Sequence, residues 1–138
     1  MMSASENVKP SVLVTDDDRD NRELFKLVMT KAGYEVVEAV NGEEALTILD
    51  KRSFTLLILD LQMPHVNGTT VLKTVRANPK FDRMKIIVAT ANAHMTLVEV
   101  DDLADYVIQK PVDFIEFIHL AERLRVLPYP LGVQKIYP

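Results

Sequence analysis

LLILDLQMPHVNG, residues 56–68, decides the fold. Leu56, Leu57, Ile58 and Leu59 follow one another without a polar break, the pattern of a strand buried on both faces. The run then stops on a carboxylate, Asp60, with Pro64 and Gly68 close behind. A strand apolar on both faces belongs inside a parallel sheet, and an acid at its end belongs on the rim of that sheet.

Outward from this stretch, strands and helices alternate five times. SVLV (11–14) is a short apolar run that breaks at TDDD (15–18). From about Asp18 to Ala32 the period becomes helical, with Phe25, Val28, Met29 and Ala32 on one stripe and Leu24 and Leu27 widening it. Asp20 followed by Glu23 resembles a capping box, and Gly33 stands where the helix should end. YEVVEAV (34–40) is mixed in polarity, which predicts an edge strand, and Asn41-Gly42 predicts a turn. EEALTILDKR (43–52) has two acids in its first turn and two bases in its last, as the helix dipole favours.

TLLILD (55–60) is the third strand, and Gly68, Val71, Leu72 and Val75 keep helical spacing after it. KIIVAT (85–90) is the fourth strand, residues 94–103 a short helix, and YVIQ (106–109) the fifth strand, ending at Lys110-Pro111. In the last helix Phe114, Phe117, Ile118, Ala121 and Leu124 form an apolar stripe flanked by Ile115 and Leu120, which reads as core. Residues 1–9 read as a flexible extension, 10–127 as one domain, and 128–138, with three prolines, as a tail of no regular structure. The predicted fold class is α/β, a doubly wound five-stranded parallel sheet with helices on both faces.

The bulk composition narrows the function. The chain has 138 residues, enough for one domain with its own core. It has no cysteine, which excludes disulfides, thiol nucleophiles and zinc–cysteine sites. Its net charge of −4 argues against a general nucleic-acid binder. MMSASENVKP lacks the apolar stretch of a signal peptide, no run is long enough to span a membrane, and the expected location is cytoplasmic. With only four glycines, at 33, 42, 68 and 132, there is no glycine-rich nucleotide loop. His65, His94 and His119 have no metal-ligand spacing and read as surface residues.

The polar residues that end the apolar runs do so at corresponding places. The first strand ends in Asp16, Asp17 and Asp18, the third in Asp60, the fourth in Thr90 and the fifth in Lys110. Each alone is ordinary: an Asp after a strand is commonly a turn or cap residue. In a parallel sheet, however, all of them share the rim where chemistry collects. Neighbouring carboxylates repel one another unless a cation joins them. A hard divalent ion such as Mg²⁺ takes oxygen ligands and leaves positions open for phosphate. Asp60 beside an acidic pair therefore suggests a metal-assisted phosphoryl site, with Asp60 as ligand or nucleophile, Lys110 neutralising phosphate oxygens and Thr90 offering a hydroxyl.

TDDD (15–18), LDLQMPHVNG (59–68), VATANA (88–93) and QKP (109–111) together resemble the receiver domain of two-component response regulators, over about residues 10–126. The resemblance implies a flavodoxin-like sheet of order 2-1-3-4-5, an order taken from the family and not from the residues. It implies that Asp60 is the phosphoacceptor for the phosphohistidine of a sensor histidine kinase or phosphotransfer protein. It assigns Mg²⁺ to Asp16, Asp17, Asp60 and the backbone carbonyl of Gln62. Thr90 would turn its hydroxyl onto the phosphoryl group, Lys110 would pair with it, and Met63, Pro64 and Gly68 would shape the loop.

About eleven residues follow Leu127, too few for an output module, so the expectation is a stand-alone receiver. It would not be an enzyme beyond its own phosphorylation and dephosphorylation. It would control a separate downstream protein or pass phosphate along a relay, with no direct nucleic-acid or membrane partner. Receivers commonly use the face of the fourth helix, fifth strand and fifth helix for partners or homodimers. Phe114, Phe117 and Ile118 are expected in the core and not in such a partner groove.

This sequence departs from the family at one switch position. The usual aromatic stands three residues before the lysine, where this chain has Val107, and Tyr106 is one step earlier. A one-residue offset flips a strand side chain to the other face, so either Tyr106 faces away or a bulge restores it. The resemblance places Gln62 and Asn92 beside the phosphate, where they would bear on access of hydrolytic water. Two alternative readings remain: a receiver fold used as a constitutive binding module, which would need none of these residues, and a Mg²⁺-dependent phosphohydrolase. The haloacid-dehalogenase type of the latter needs a second Asp where this chain has Gln62.

Overall fold

The computed structural model describes residues 9–63, 66–93 and 98–126. Its elements run β1 (Ser11–Thr15), α1 (Arg19–Lys31), β2 (Glu35–Ala39), α2 (Gly42–Lys51), β3 (Leu56–Asp60), α3 (Gly68–Arg76), β4 (Lys85–Thr90), α4 (Val98–Leu103), β5 (Tyr106–Gln109) and α5 (Phe114–Val126). The five strands form one parallel sheet in the order β2-β1-β3-β4-β5. β2, with its mixed polarity, is indeed an edge, and β3 lies in the middle. Residues 1–8 of the expected extension 1–9, the tail 128–138 and the first part of the helix expected at 94–103 lie outside the described residues.

Every residue of β3 is buried because alternate side chains feed two cores. Leu57 and Leu59 join Leu13, Ile86, Val88 and Val107 beneath α2, α3 and α4. Leu56 and Ile58 join Val12, Val14, Ile87 and Ile108 beneath α1 and α5. In this second core Phe25 meets Phe114 and Phe117 edge-on, at centroid distances of 5.5 and 5.3 Å. Of Phe114, Phe117 and Ile118, expected in the core, Phe117 is buried in it and the other two are partly buried against it. Tyr34, also buried there, donates its hydroxyl to the Ala121 carbonyl at 2.8 Å, and burial pushes its pKa up to about 12.

Local corrections follow from packing. Leu24 and Leu27 do not widen the α1 stripe; they are 44% and 55% exposed, since Phe25, Val28 and Met29 already fill the space against the sheet. Ile115 on α5 is likewise exposed, at 74%. The cap of α1 is Asp18 and not Asp20: the Asp18 carboxylate accepts from the Asp20 N–H at 2.9 Å, while Glu23 pairs with Arg19. Asn41 is more than a turn residue, because its side chain caps α2 by accepting from the Glu44 N–H at 2.8 Å. Gly33 ends α1 at φ +96°, with its own N–H on Thr30 O and the Tyr34 N–H on Met29 O, the paired bonds of a Schellman motif.

Candidate functional site

The parallel register brings the ends of β1, β3 and β5 to one rim, and the expected charges meet there. Asp16 follows β1 and is 1% exposed. One carboxylate oxygen accepts from the Asp18 N–H at 2.9 Å, and the other accepts from Lys110 Nζ at 2.7 Å. Asp60, 6% exposed at the end of β3, accepts from the Gln62 N–H at 3.1 Å and lies 3.4 Å from the same Lys110 Nζ. Asp17 is exposed, yet one oxygen each from Asp16, Asp17 and Asp60 lie within 4.8 Å of one another.

The electrostatics of this cluster are unbalanced. Burial pushes the Asp60 carboxyl above its ordinary range and the Asp16 charge adds to the rise, while the Gln62 N–H and Lys110 pull it down. Burial works against the Lys110 charge too, but its hydrogen bond to Asp16 and the charges of Asp60 and Asp16 outweigh this and raise its pKa. One lysine thus serves two of the three clustered carboxylates, Asp16 and Asp60. The donors are all oxygens, close together and partly open to solvent on the Asp17 side, which fits a hard divalent cation and not a soft metal.

The surrounding loops are held by backbone contacts. Gly68 opens α3 so close beneath Asp60 that a Cβ on it would stand 2.1 Å from the Asp60 carbonyl oxygen and 2.6 Å from Leu61 Cα. Only a glycine lets the returning helix pass there. Thr90 is buried at the end of β4, and its hydroxyl accepts from the Asn92 N–H at 3.3 Å. The Lys110 N–H donates to the Thr90 carbonyl at 2.8 Å, which ties the lysine to the threonine through the backbone. Met63 is buried in the α2–α4 core, whereas Pro64, His65 and His94 lie outside the described residues. His119 is exposed beside Glu122.

Of the two geometries expected for Tyr106, the plain one occurs. β4 and β5 pair without a bulge from Ile87–Tyr106 to Thr90–Gln109. Val107 enters the α2–α4 core and Tyr106 packs on the α1–α5 core, the opposite face. Sequence reasoning missed Arg22, whose guanidinium donates to the Asp16 carbonyl at 2.8 Å, and the side chain of Gln109, which reaches the loop after β4. No local pattern marks Arg22, and QKP (109–111) marks the lysine without announcing the reach of the Gln109 side chain.

The response regulator receiver domain family matches residues 12–122. The chain belongs to that family. It is 35% identical over 119 residues to the "uncharacterized 14.6 kDa protein in sodA1 3′ region" of Leptolyngbya boryana, covering 81% of this chain and 87% of that one. Over 86 residues it is 41% identical to the "probable transcriptional regulator ycf27" of Porphyra purpurea, covering 62% of this chain and 34% of that protein, so it spans about a third of the latter. Among solved structures it resembles the response regulator TrrA of Thermotoga maritima in complex with Mg²⁺–BeF, at 35% identity and a TM-score of 0.75, over 83% of this chain and 98% of that one. As a receiver domain it is a signalling module. No helix among the described residues is long and apolar enough to cross a membrane.

Proposed function

We propose that Asp60 of this receiver domain accepts a phosphoryl group from a phosphohistidine donor, in a Mg²⁺-dependent reaction. The observation that carries the reading is the clustering of three carboxylates, Asp16, Asp17 and Asp60, at the strand-end rim, with Lys110 Nζ at 2.7 Å from Asp16 and 3.4 Å from Asp60. A carboxylate oxygen of Asp60 attacks the phosphorus, the P–N bond breaks, and its electron pair stays on the imidazole nitrogen, which takes up a proton. The product is an acyl phosphate. Hydrolysis reverses the charge state: water attacks phosphorus, the P–O bond to Asp60 breaks, and the carboxylate and inorganic phosphate separate.

Asp16, Asp17, Asp60 and the backbone carbonyl of Gln62 would hold Mg²⁺. The ion supplies neutralisation of phosphoryl oxygens and relief of carboxylate repulsion when bound. The chain's own residues orient the rest. Lys110 is already placed to follow negative charge from the carboxylate to the phosphoryl group. Thr90, at the end of the neighbouring strand, supplies a hydroxyl donor. The phosphorylated domain would then act on a separate protein, or hand its phosphoryl group to a second histidine.

The test is labelling by acetyl phosphate and Mg²⁺ followed by intact-mass measurement. One added phosphoryl group is expected, not formed when the metal is chelated beforehand and absent in Asp60→Ala. Undiminished labelling of Asp60→Ala would sink the assignment.

A further inference from the structure

Gln109 joins the loop after β4 to the strand that carries Lys110. Its amide oxygen accepts from the Ala93 N–H at 3.0 Å. Its amide nitrogen donates to the Ala91 carbonyl and, at 3.0 Å, to the Lys110 carbonyl. One side chain therefore grips the loop on both sides of Asn92. From the other side, the Asn92 N–H donates to the Thr90 hydroxyl oxygen at 3.3 Å. The turn Ala91–Ala93 is held between Thr90 and Gln109, and Gln109 is bonded covalently to Lys110.

Resting on the phosphoacceptor reading above, we propose that Gln109 is a positioning residue that latches the Thr90–Ala93 loop in its resting geometry and so sets how readily Thr90 turns to a phosphoryl group on Asp60. The physical reason is a difference between states. The β5 backbone is fixed, since the Lys110 N–H is committed to Thr90 O and Val107 and Ile108 are buried. Any motion that carries the loop with the Thr90 hydroxyl must strain or break the bonds at Ala91 and Ala93. These bonds stabilise only the resting arrangement, so they oppose the switch by their net worth. Gln109 touches none of the reacting atoms and acts only through the loop.

The test compares the unaltered protein with Gln109→Leu, titrating Mg²⁺ and beryllofluoride and reading amide chemical shifts of the loop. Loss of about one hydrogen bond's net contribution predicts half-saturation at about fivefold lower beryllofluoride in the variant. Gln109→Glu keeps the acceptor for Ala93 but sets a negative oxygen against two carbonyls, and should shift half-saturation in the same direction by a smaller factor. A role confined to stability would lower the melting midpoint of the variants and leave the beryllofluoride titration unmoved. A normal response in the unaltered protein with equal or weaker binding in both variants overturns the latch alone. No response in the unaltered protein overturns the phosphoacceptor reading and the latch with it.

Discussion

Arg76 at one rim of the sheet and Lys110 at the other are both partly buried cations, with opposite surroundings. At the rim where β4 and β5 begin, the Arg76 guanidinium donates to the carbonyls of Leu103, Met84 and Phe81 at 2.8, 3.0 and 3.3 Å and to the Asp105 carboxylate at 2.7 Å. The same Asp105 oxygen accepts from the Ile86 N–H at 2.7 Å. Each of these charges is matched within the chain. At the rim where the strands end, Lys110 faces more carboxylate charge than it can balance among the described residues. A cluster complete in itself holds the ends of α3, α4 and β5 together, whereas the incomplete one is the site proposed above to take a cation.

The strongest challenge to this contrast is Arg76→Ala. It strands a half-buried carboxylate and several carbonyls, and should cost about 3 kcal/mol of stability, read from the urea midpoint. A loss under about 1 kcal/mol would place Arg76 with ordinary surface pairs. Gly68→Ala comes next at about 2 kcal/mol, because the new methyl meets backbone at Asp60 and Leu61 that cannot turn aside. Acetyl phosphate labelling should slow with it, which a purely remote loss of stability would not produce.

The site rim should respond with the opposite sign. In metal-free buffer at neutral pH, Asp60→Asn removes one of the crowded charges and should stabilise the fold by about 1 kcal/mol, raising the melting midpoint by about 4 °C. The Asp60 pKa is raised on folding, so between the ordinary carboxylate value and the raised one the folded state binds more protons than the unfolded. Stability contributed by this group therefore falls as pH rises through that window, and Asp60→Asn should flatten the fall. Added Mg²⁺ should reverse the order of the two proteins. An unaltered protein as stable as the variant at every pH without metal would remove the premise of an unbalanced site. The smallest effect serves as control: Arg19→Ala breaks an exposed pair with Glu23 and should cost about 0.3 kcal/mol.

These two rims were not equally legible in the amino-acid order. The acids and the lysine of the site stand at the ends of apolar runs, where a parallel sheet must bring them together, so Asp16, Asp17, Asp60 and Lys110 could be grouped before any coordinates. Arg76 and Asp105 are 29 residues apart, with nothing near either to announce the other. Leu24 and Leu27 fit the period of α1 but found no neighbour to cover them. The Asp20–Glu23 spacing pointed to the wrong cap, because the path of the chain out of β1 puts Asp18 at the N-cap.

Periodicity and the polar residues that end apolar runs were sufficient for the alternation of elements, the two-sided burial of β3 and the gathering of charge at one rim. They suffice because strand and helix repeats act over a few residues and parallel pairing aligns strand ends. The face taken by Tyr106, the close passage of Gly68 under Asp60, the grip of Gln109 on the loop and the closed network around Arg76 came only from the folded chain. Each depends on distances between segments remote in sequence, set by how two cores fill against a twisted sheet, and no local pattern encodes those distances.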